Sequence, residues 1–540
     1  MSVTKLNPLL GTDIYKIGHQ LQYKPGTTLV YSYMQNRSSK TFPFTVFFGL
    51  QYYLMEYLIG PSLDYDHVQE FIEDYESILG TPRDDSSTAI KNRIEANMYA
   101  LVDLGYWPIR IDAVDEGSVI PNGNCLMTIQ STDPKFYWAV GFIESMLLKL
   151  WYPMVVATCC YTYRLIVEEA FEVTVDPDQY WLKDYMVHDF GYRGDSSEEG
   201  AAISGAAHLL SFNGSDTVPS LSFLREYYHL PRRVQSGVMA SVPASEHSVM
   251  CSYGQDLEFE AFENMLNLYP TGLVSIVSDT YNIYTVCTNF LNRLKDRILA
   301  RNGKVVIRPD SGDPIKIICG DPDAPAGSPE ERGVLRLLDD MFGSDVNSKG
   351  FKVLNPKIGL IYGDGMYMER YKTVLAKMAE MGYAASNLVI GVGGILRNHS
   401  RDTLGTAIKA TYVENGGVPM NIVKTPITDP GKRSHKGRMA LIMRENFKGP
   451  LTVDELDNFK VNAGGSLIAY AQSVGSPFNL LRPVFENGQL LRTEQFSTVR
   501  NRVRASLSGP DREVLRLQAA IRGDFDTRVA HCLKEFAAHP

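Results

Sequence analysis

The sequence lacks the patterns that mark disulfide-stabilised secreted proteins and structural zinc proteins. Its 540 residues include seven cysteines, which are scattered along the chain and form no CxxC pair. This usage indicates reduced thiols rather than a disulfide framework. The chain also has no HExxH motif and no Cys/His cluster with the spacing of metal ligands. The sequence therefore does not indicate which side chains would contact a metal ion.

Long hydrophobic runs are absent too. The most apolar stretch, "FYWAVGFIESMLLKLWYPMVVATCC" at 136–160, is interrupted by Glu144 and Lys149. It is too broken to span a bilayer and predicts a buried helix followed by a strand. The first residues, "MSVTKLNPLLGTD", lack the apolar core of a signal peptide. We therefore predict a soluble, cytoplasmic protein without a membrane partner.

The chain also has no excess of basic over acidic residues. The chain has 53 basic and 62 acidic residues, a formal net charge of -9, with 44% hydrophobic and 21% charged residues. This composition is typical of soluble globular proteins and does not favour a nucleic-acid partner. A chain of this length predicts two to four domains.

What the sequence does contain is a repeated alternation of strand and helix patterns, from about residue 185 to about residue 400. Short apolar runs end in glycine- and acid-rich tips, each followed by a helical segment. The tips are "HDFGYRGDSSEEG", "FNGSDT", "SVPASEHS", "SIVSDTY", "VIRPDSGDP", "LIYGDGM" and "VIGVGGI". Such alternation predicts parallel βα units, and this many in a row predict a β/α barrel with its site at the carboxyl ends of the strands.

The tip "VVIRPDSGDP", residues 305–314, carries more charge than a turn requires, because it delivers an arginine and two aspartates. No P-loop motif is present, and "GVGGIL" lacks the third glycine of a dinucleotide fingerprint. Arginine suits phosphate, aspartate suits ribose hydroxyls, Mg²⁺ or developing positive charge, and glycines allow close approach. Together the tips predict a phosphorylated sugar as the ligand. The candidate residues at the tips are Arg193, Asp216, Asp279, Arg308, Asp310 and Asp364, with His247 among them.

Each candidate also has a purely structural interpretation. Aspartate before a helix is usually an N-cap, the simpler explanation of Asp216, Asp279 and Asp364. A histidine at a strand–helix junction, such as His247, is more often packed or hydrogen-bonded than catalytic. If the barrel prediction is right, however, these tips converge on one face, which favours a shared site.

Eight motifs together resemble the nicotinamide phosphoribosyltransferase family. They are "TDIYKIGHQLQY", "HDFGYRG", "NGSDTV", "SVPASEHS", "VSDTYNIY", "RPDSGDP", "YGDG" and "DPGKRSHKGR", in the family's order from about residue 8 to about residue 500. The chain departs from the family in an insertion after Cys319, in the glycine pattern "GVGG" and in a tail beyond residue 500. These departures lie beside the expected site or outside it, so they affect the behaviour of loops more than the chemistry.

The resemblance implies that the chain converts nicotinamide and 5-phosphoribosyl 1-pyrophosphate into nicotinamide mononucleotide and pyrophosphate, in NAD salvage. It implies an irregular β/α barrel with a second mixed α/β domain built from N-terminal and C-terminal segments. It further implies a homodimer with shared active sites, Mg²⁺ as a cofactor, and ATP as a co-substrate whose hydrolysis proceeds through phosphorylated His247.

The same resemblance implies a division of the chain into domains. The second domain would comprise residues 35–133 and 402–500, and the barrel residues 134–401. Residues 1–34 are expected to reach the partner's active site, and residues 501–540 to form a helical tail.

Residue roles follow from the matched motifs. His247 and Asp310 are the implied catalytic residues, with Asp310 near the ribose and its developing charge. Phe190 of one subunit and Tyr15 of the other would sandwich the pyridine ring, and Asp216 would accept hydrogen bonds from the carboxamide. The other implied substrate-binding residues are Arg193, Asp279, Arg308, Gly363, Asp364, Gly393 and Arg401. Further basic residues implied to face phosphate are Arg37, Lys409, Lys424, Lys432 and Arg438.

Two other functions stay open at this point. A nicotinate phosphoribosyltransferase would have to bind a carboxylate, which Asp216 would repel, so the amide is favoured. A non-catalytic barrel that only binds phosphorylated ligands is disfavoured by the presence of His247, Arg308 and Asp310.

Overall fold

The computed structural model describes residues 7–37, 39–59, 63–232, 237–428, 433–443, 450–453 and 479–508. The helices are α1 (Ile14–Ile17), α2 (His19–Gln22), α3 (Leu50–Tyr53), α4 (Tyr65–Leu79), α5 (Asp85–Leu104), α6 (Ala139–Leu148), α7 (Trp151–Thr174), α8 (Glu198–His208), α9 (Pro219–Tyr227), α10 (His247–Cys251), α11 (Glu258–Leu268), α12 (Ile283–Thr285), α13 (Leu291–Ala300), α14 (Pro314–Cys319), α15 (Pro329–Phe342), α16 (Met368–Glu380), α17 (Arg401–Leu404) and α18 (Phe496–Ser506).

The strands are β1 (Thr27–Asn36), β2 (Phe44–Val46), β3 (Ile109–Ala113), β4 (Val119–Pro121), β5 (Cys125–Ser131), β6 (Val187–Asp189), β7 (Thr271–Val277), β8 (Asn302–Arg308), β9 (Ser344–Val346), β10 (Lys352–Leu354), β11 (Ile358–Tyr362), β12 (Leu388–Val392), β13 (Thr406–Asn415), β14 (Val418–Asn421), β15 (Ala440–Met443), β16 (Pro450–Val453), β17 (Arg482–Glu486) and β18 (Gln489–Leu490).

The described residues form two compact units. The first contains the residues up to Thr158, the segment Leu224–Leu230 and the residues from His399 onward. The second contains Cys159–Phe223 and Pro231–Asn398. The first unit is thus assembled mainly from N-terminal and C-terminal segments.

The first unit is built on a seven-stranded antiparallel sheet in the order β14-β13-β1-β5-β3-β17-β18. In β3, Ile109, Ile111 and Ala113 are buried while the residues between them are not, which is the alternation of a strand with one covered face. Helix α6 packs against β1, β5 and β13. Most residues of α6 are buried, so the helix covers part of the sheet.

The second unit contains a five-stranded parallel sheet in the order β6-β12-β11-β8-β7. Isolated parallel bridges continue the sheet from one edge strand to the other, joining Asp189 to Ser215, Gly214 to Ala240 and Ala244 to Ser275. Because the first of these residues belongs to β6 and the last to β7, the bridges complete a ring. The prediction of an irregular β/α barrel with a second mixed α/β domain is confirmed.

Strand β8 illustrates why polar residues collect at the strand ends. Val305 and Ile307 are buried, as the apolar run predicts. The strand ends at Arg308, because the following Pro309 has no N–H to donate to the sheet. Gly312 then adopts φ +89°, a conformation that favours glycine and reverses the chain. The charged residues of this tip are therefore presented at the carboxyl end of the barrel strand.

The apolar stretch at 136–160 forms two helices, α6 and α7, so the strand predicted at its end is wrong. Pro153 lies in the first turn of α7, where no helical partner for a backbone N–H is needed. The helical region Ala139–Thr174 is long and apolar enough to cross a membrane by length and composition, yet 67% of its most apolar window is buried inside the protein. A core helix has the same properties.

Candidate active site

Phe190 follows strand β6 and contacts two side chains of the barrel. Its ring centroid lies 4.9 Å from that of His188, and the guanidinium carbon of Arg308 lies 4.8 Å from the Phe190 centroid. Gly391 in β12 makes room for the ring, because a Cβ atom there would lie 2.1 Å from Phe190 Cε2. The aromatic residue predicted to stack on a base is therefore placed by neighbours on β6, β8 and β12.

Asp216 is held through one of its two carboxylate oxygens. Oδ1 lies 3.2 Å from His188 Nε2 and accepts a hydrogen bond from the Ser241 hydroxyl. Burial opposes ionisation of Asp216, but the hydrogen bonds from His188 and Ser241 outweigh it, and its pKa is lowered. Oδ2 makes no hydrogen bond with any residue that the structure describes, so it remains available to a ligand.

Asp279 anchors the candidate histidine. Its Oδ1 lies 3.1 Å from His247 Nε2, and its Oδ2 accepts hydrogen bonds from the Asp310 backbone N–H at 2.7 Å and from the Ser311 hydroxyl at 2.6 Å. The Asp279 side chain is 5% exposed, whereas that of His247 is 45% exposed. Asp279 is thus a buried support for a histidine that ligands can reach, while Glu246 bonds to a neighbouring serine instead.

Arg308 and Asp310 face each other beside Gly363. Arg308 Nη2 lies 3.4 Å from Asp310 Oδ2. Arg308 Nε and Asp310 Oδ1 are buried and make no hydrogen bond with any described residue. A Cβ atom at Gly363 would lie 2.2 Å from Asp310 Oδ1 and 3.1 Å from Arg308 Nε, so glycine admits both groups. Buried polar atoms without partners are uncommon and often mark functional positions.

Tyr362, at the end of β11, holds the turn that follows β8. Its hydroxyl donates to two backbone carbonyls of that turn, at 3.0 and 3.1 Å. Burial, and then the carboxylates of Asp279, Asp364 and Asp310, raise the pKa of Tyr362. The charges of these three predicted site residues thus act on one hydroxyl group, and the hydrogen bond from the Asp310 backbone N–H to Asp279 joins two of them directly.

The contacts form one continuous series across the strand ends, which we call the contact series. It runs through Asp216, His188, Phe190, Arg308, Asp310, Asp279 and His247 in that order. One end offers a free carboxylate oxygen beside an aromatic ring, the middle offers a cation beside a carboxylate, and the other end offers an exposed histidine. Such an arrangement suits a ligand with a planar group, a sugar and phosphates.

Three other predicted residues lie at the same strand ends without side-chain contacts to this series. Arg193 and Asp364 are exposed, and neither makes a side-chain hydrogen bond or ion pair with a residue of the described ranges. Gly393 opens the short 3-10 helix Gly394–Leu396, and its Cβ position is 3.8 Å from the backbone oxygen of Phe190. All three therefore remain accessible to a ligand.

The first unit carries a separate basic cluster. Burial lowers the pKa of Lys409 in β13; Glu144 opposes this shift, and the charges of Lys424, Arg37 and Lys16 add to it. The charges of two other predicted phosphate-facing residues thus act on Lys409, whereas Lys16, which the sequence did not indicate, is paired with Glu144 at 3.3 Å. Several cations within reach of one another favour an anionic ligand.

The other predicted residues of the first unit are not part of this cluster. Tyr15 is 62% exposed. Arg401 pairs at the surface with the next residue in the chain, at 3.2 Å. Arg438 forms an ion pair with Glu414, with 3.3 Å between Nη2 and Oε1. Lys432 lies outside the described residues.

Several residues at the site were not predicted. His188 and Ser241 hold Asp216, and although both lie within the quoted tips, no pattern indicates that they face it. Glu258 opens α11 with a buried side chain, and burial together with the charge of Asp279 raises its pKa to about 7. An acid in the first turn of a helix is common, so it gives no functional signal in a sequence.

The fit to a metal ion can be judged from the donor atoms. In the part of the chain that the structure describes, no group of three or more His, Cys, Asp or Glu side chains is placed to hold a metal. Asp310 Oδ1 is an unpaired carboxylate oxygen, the kind of ligand that Mg²⁺ prefers. The residues therefore fit Mg²⁺ only if a substrate supplies most of its ligands.

Family models match most of the chain. Residues 185–488 match the nicotinate phosphoribosyltransferase (NAPRTase) family, and residues 7–81 match the nicotinamide phosphoribosyltransferase N-terminal domain. The first match includes every strand of the barrel, and the second includes Tyr15.

Curated relatives are similar over nearly their whole length. The chain is 38% identical over 500 residues to the nicotinamide phosphoribosyltransferase of Xanthomonas campestris pv. campestris (strain 8004), covering 92% of this chain and 97% of the relative. It is 35% identical over 524 residues to the nicotinamide phosphoribosyltransferase of Acinetobacter baylyi (strain ATCC 33305 / BD413 / ADP1), covering 93% of this chain and 98% of the relative.

Solved structures share the fold. Nicotinate-nucleotide pyrophosphorylase from Pyrococcus furiosus matches with a TM-score of 0.54 and 14% identity, over 93% of this chain and 96% of that one. Human nicotinic acid phosphoribosyltransferase matches with a TM-score of 0.50 and 18% identity, over 93% of this chain and 95% of that one. At these identities the likeness concerns the fold alone.

Proposed function

Because this chain belongs to the nicotinamide phosphoribosyltransferase family, we propose that the contact series is its active site. The protein transfers the phosphoribosyl group of 5-phosphoribosyl 1-pyrophosphate to nicotinamide, giving nicotinamide mononucleotide and pyrophosphate for NAD salvage. In this reaction the bond from ribose C1 to the pyrophosphate oxygen breaks, and a bond from C1 to the pyridine nitrogen forms.

One observation carries the assignment of the site: separate strand ends meet in a single series of contacts with the chemistry that these substrates need. The amide-binding end is Asp216, whose free Oδ2 can accept from the carboxamide NH₂. Phe190 beside it offers an aromatic face to the pyridine ring. A nicotinate carboxylate at the same place would meet the charge of Asp216, which is unfavourable.

The middle of the series is suited to the bond-breaking step. As pyrophosphate leaves, C1 develops positive charge, and a carboxylate already in place stabilises that charge without reorganisation. We assign this role to Asp310 and phosphate binding to Arg308, which lie 3.4 Å apart. Gly363 and Gly393 would let the ribose phosphate approach the backbone, with Asp364 at the ribose hydroxyls and Arg193 and Arg401 at phosphates.

Mg²⁺ is part of this proposal and is supported by the unpaired oxygen of Asp310. When bound, it would neutralise charge on the leaving pyrophosphate. The substrate's phosphates would supply most of its ligands. The basic cluster formed by Arg37, Lys409 and Lys424 would bind further phosphate groups.

We assign the second role of the site, ATP coupling, to His247. If Nε2 carries the proton shared with Asp279, then Nδ1 bears the lone pair and can attack the terminal phosphate of ATP. A P–N bond forms, the bond to ADP breaks, and water later cleaves the phosphoramidate. The 45% exposure of the His247 side chain supports this role, because a nucleotide must reach the ring.

The test of this coupling is His247→Ala. We expect the variant to lose ATP hydrolysis and ATP stimulation together, while a slow ATP-independent synthesis of nicotinamide mononucleotide remains. Phosphate release and product formation are measured in parallel on the same preparation. His67→Ala, a histidine in helix α4, serves as the matched control and should change neither. A His247→Ala enzyme that hydrolyses ATP at the wild-type rate would leave the histidine as a pyrophosphate contact only.

A homodimer in the cytoplasm completes the proposal. The 62% exposure of Tyr15 suits a ring that stacks on a base in the partner's site. The free cysteines among the described residues, five of them buried, suit a reducing compartment.

A further inference from the structure

A single buried arginine joins the two ends of the loop that carries Phe190 and Arg193. Arg397 contacts Asp189 with both terminal nitrogens, Nη1 to Oδ1 at 2.6 Å and Nη2 to Oδ2 at 2.9 Å. Its Nε donates to Asp195 Oδ2 at 2.8 Å. Asp189 immediately precedes this loop and Asp195 immediately follows it. One planar group therefore fixes the distance between the two ends.

The surroundings of Arg397 largely exclude water, and the hydroxyls of Ser204 and Ser215 donate to Asp195 Oδ2 at 2.8 Å and to Asp189 Oδ2 at 3.4 Å. The Arg397 and Asp195 side chains are each 2% exposed, and Asp189 is fully buried. Gly191 lies against the guanidinium, since a Cβ atom there would be 1.9 Å from Arg397 Nη1. The Gly191 backbone N–H also donates to Asp189 Oδ1 at 2.8 Å. The loop backbone is thus packed directly onto the arginine.

Stability alone is a weak explanation for this arrangement. Burying an arginine between two carboxylates carries a large desolvation cost, and apolar replacements of similar volume are often at least as stable. A bidentate guanidinium does supply defined geometry, which a lysine cannot reproduce. The net effect of the pair is strong enough to lower the pKa of Asp189 despite its burial.

We propose that Arg397 is a positioning residue for the substrates: by holding Asp189 and Asp195, it places the Phe190 ring for the pyridine and Arg193 for a phosphate. Arg397 follows β12, whereas the loop follows β6, so the same contact also ties together two neighbouring strand ends. A lone arginine beyond a glycine-rich tip gave no sign of this role in the sequence. The proposal rests on the proposed function, because it needs Phe190 and Arg193 to contact substrate.

The experiment compares Arg397→Lys with Arg164→Lys. Arg164 is also buried in the second unit, and its ion pairs go to Glu168 at 2.9 Å and Asp184 at 2.6 Å, none of which is a predicted site residue. Melting temperature, kcat, and KM for nicotinamide and for 5-phosphoribosyl 1-pyrophosphate are measured on both variants. Both substitutions replace a forked cation with a point charge, so their effects on folding are matched.

We expect Arg397→Lys to raise both KM values by about tenfold or more, since small displacements of binding groups have effects of this size. kcat should change by no more than about twofold, as when binding is lost equally in the ground and transition states. Arg164→Lys should lower the melting temperature with KM values unchanged. If Arg397→Lys does not fold, Asp195→Asn loosens one end of the loop and should raise both KM values by a smaller factor.

Wild-type KM values in a folded Arg397→Lys or Asp195→Asn variant would overturn the proposal. Equal KM changes in Arg164→Lys would also overturn the proposal, because general destabilisation would then explain the KM changes of Arg397→Lys. These outcomes differ from failure of the proposed function, in which the wild-type protein itself would form no nicotinamide mononucleotide.

Discussion

Asp216 makes its hydrogen bonds to other described residues through one carboxylate oxygen, which leaves the other oxygen available to a ligand. His188 and Ser241 both engage Oδ1, and this fixes the direction in which Oδ2 points. A carboxylate accepts hydrogen bonds but cannot donate them, so it favours an amide NH₂ over a second carboxylate. At the scale of single residues, we propose that this one free oxygen determines base selection.

Asp216→Asn should therefore narrow the preference for nicotinamide over nicotinate by roughly 1–3 kcal/mol, the cost of one buried hydrogen bond left unmade. The substitution keeps the shape of the side chain, removes its charge and adds donors. Activity with nicotinamide should fall. The measurement is the ratio of kcat/KM for the two bases, with 5-phosphoribosyl 1-pyrophosphate saturating.

Asp339→Asn provides the control for this comparison. Asp339 is a carboxylate of the second unit whose partners, Lys352, Tyr383 and Ser344, do not belong to the contact series. Its variant should leave the base ratio unchanged. If Asp216→Asn also leaves the ratio unchanged, the assignment of Asp216 to the amide is lost.

The motifs indicated candidate residues for the site, but they did not indicate which of these side chains pair with one another. Asp279 and His247 are distant in sequence, and only the folded barrel sets them 3.1 Å apart. Glu246, the neighbour of His247 in the chain, faces elsewhere because successive residues point in different directions. Side-chain partners are a property of the tertiary structure, so the sequence alone leaves them open.

At the scale of elements, strand β12 contributes to the site mainly by lacking a side chain. Gly391 lies in this strand, and the ring of Phe190 occupies the space that a Cβ atom would take. Packed interiors have little room for even one added methyl group. The position of the ring therefore depends on a residue that has no side chain.

Gly391→Ala should displace the Phe190 ring and raise KM for nicotinamide by about tenfold or more, because a shift of about 1 Å at a binding group has effects of that order. Gly359→Ala in the adjacent strand β11 is the matched control. Its Cβ atom would meet the flexible side chain of Lys304 at 3.1 Å, which can move. An unchanged KM in Gly391→Ala would contradict the placement of Phe190 against the base.

Helices and strands could be predicted where their hydrophobic patterns are long, and less well where those patterns are short. Seven tips predicted the barrel, yet the ring is completed through single bridges such as Gly214–Ala240, too brief to leave a strand pattern. The run that contains Val155 and Val156 predicted a strand, but it lies in α7, where both residues are fully buried. Burial on all sides removes the periodicity that separates a helix from a strand.

At the scale of the whole molecule, the proposed homodimer has a kinetic consequence. If Tyr15 acts in the partner's site, then Tyr15→Ala and Arg308→Ala chains should each be nearly inactive alone. Mixed and allowed to exchange, they should recover up to about a quarter of wild-type activity, since half of the random pairs are heterodimers with one intact site of two. The measurement is product formation before and after exchange, with exchange followed by differently tagged chains.

The absence of recovery, with exchange established, would place Tyr15 in its own subunit's site or outside any site. The unmixed variants, taken through the same exchange conditions, are the control and should stay inactive.

The central claim is that this barrel transfers phosphoribosyl groups to nicotinamide in preference to nicotinate. Its most direct test is kcat/KM of the purified protein for the two bases, each with 5-phosphoribosyl 1-pyrophosphate, Mg²⁺ and ATP. Mononucleotide formation and pyrophosphate release are followed together. We predict equal amounts of nicotinamide mononucleotide and pyrophosphate, with nicotinamide strongly preferred. A preference for nicotinate, or binding of both substrates without pyrophosphate release, would contradict the account.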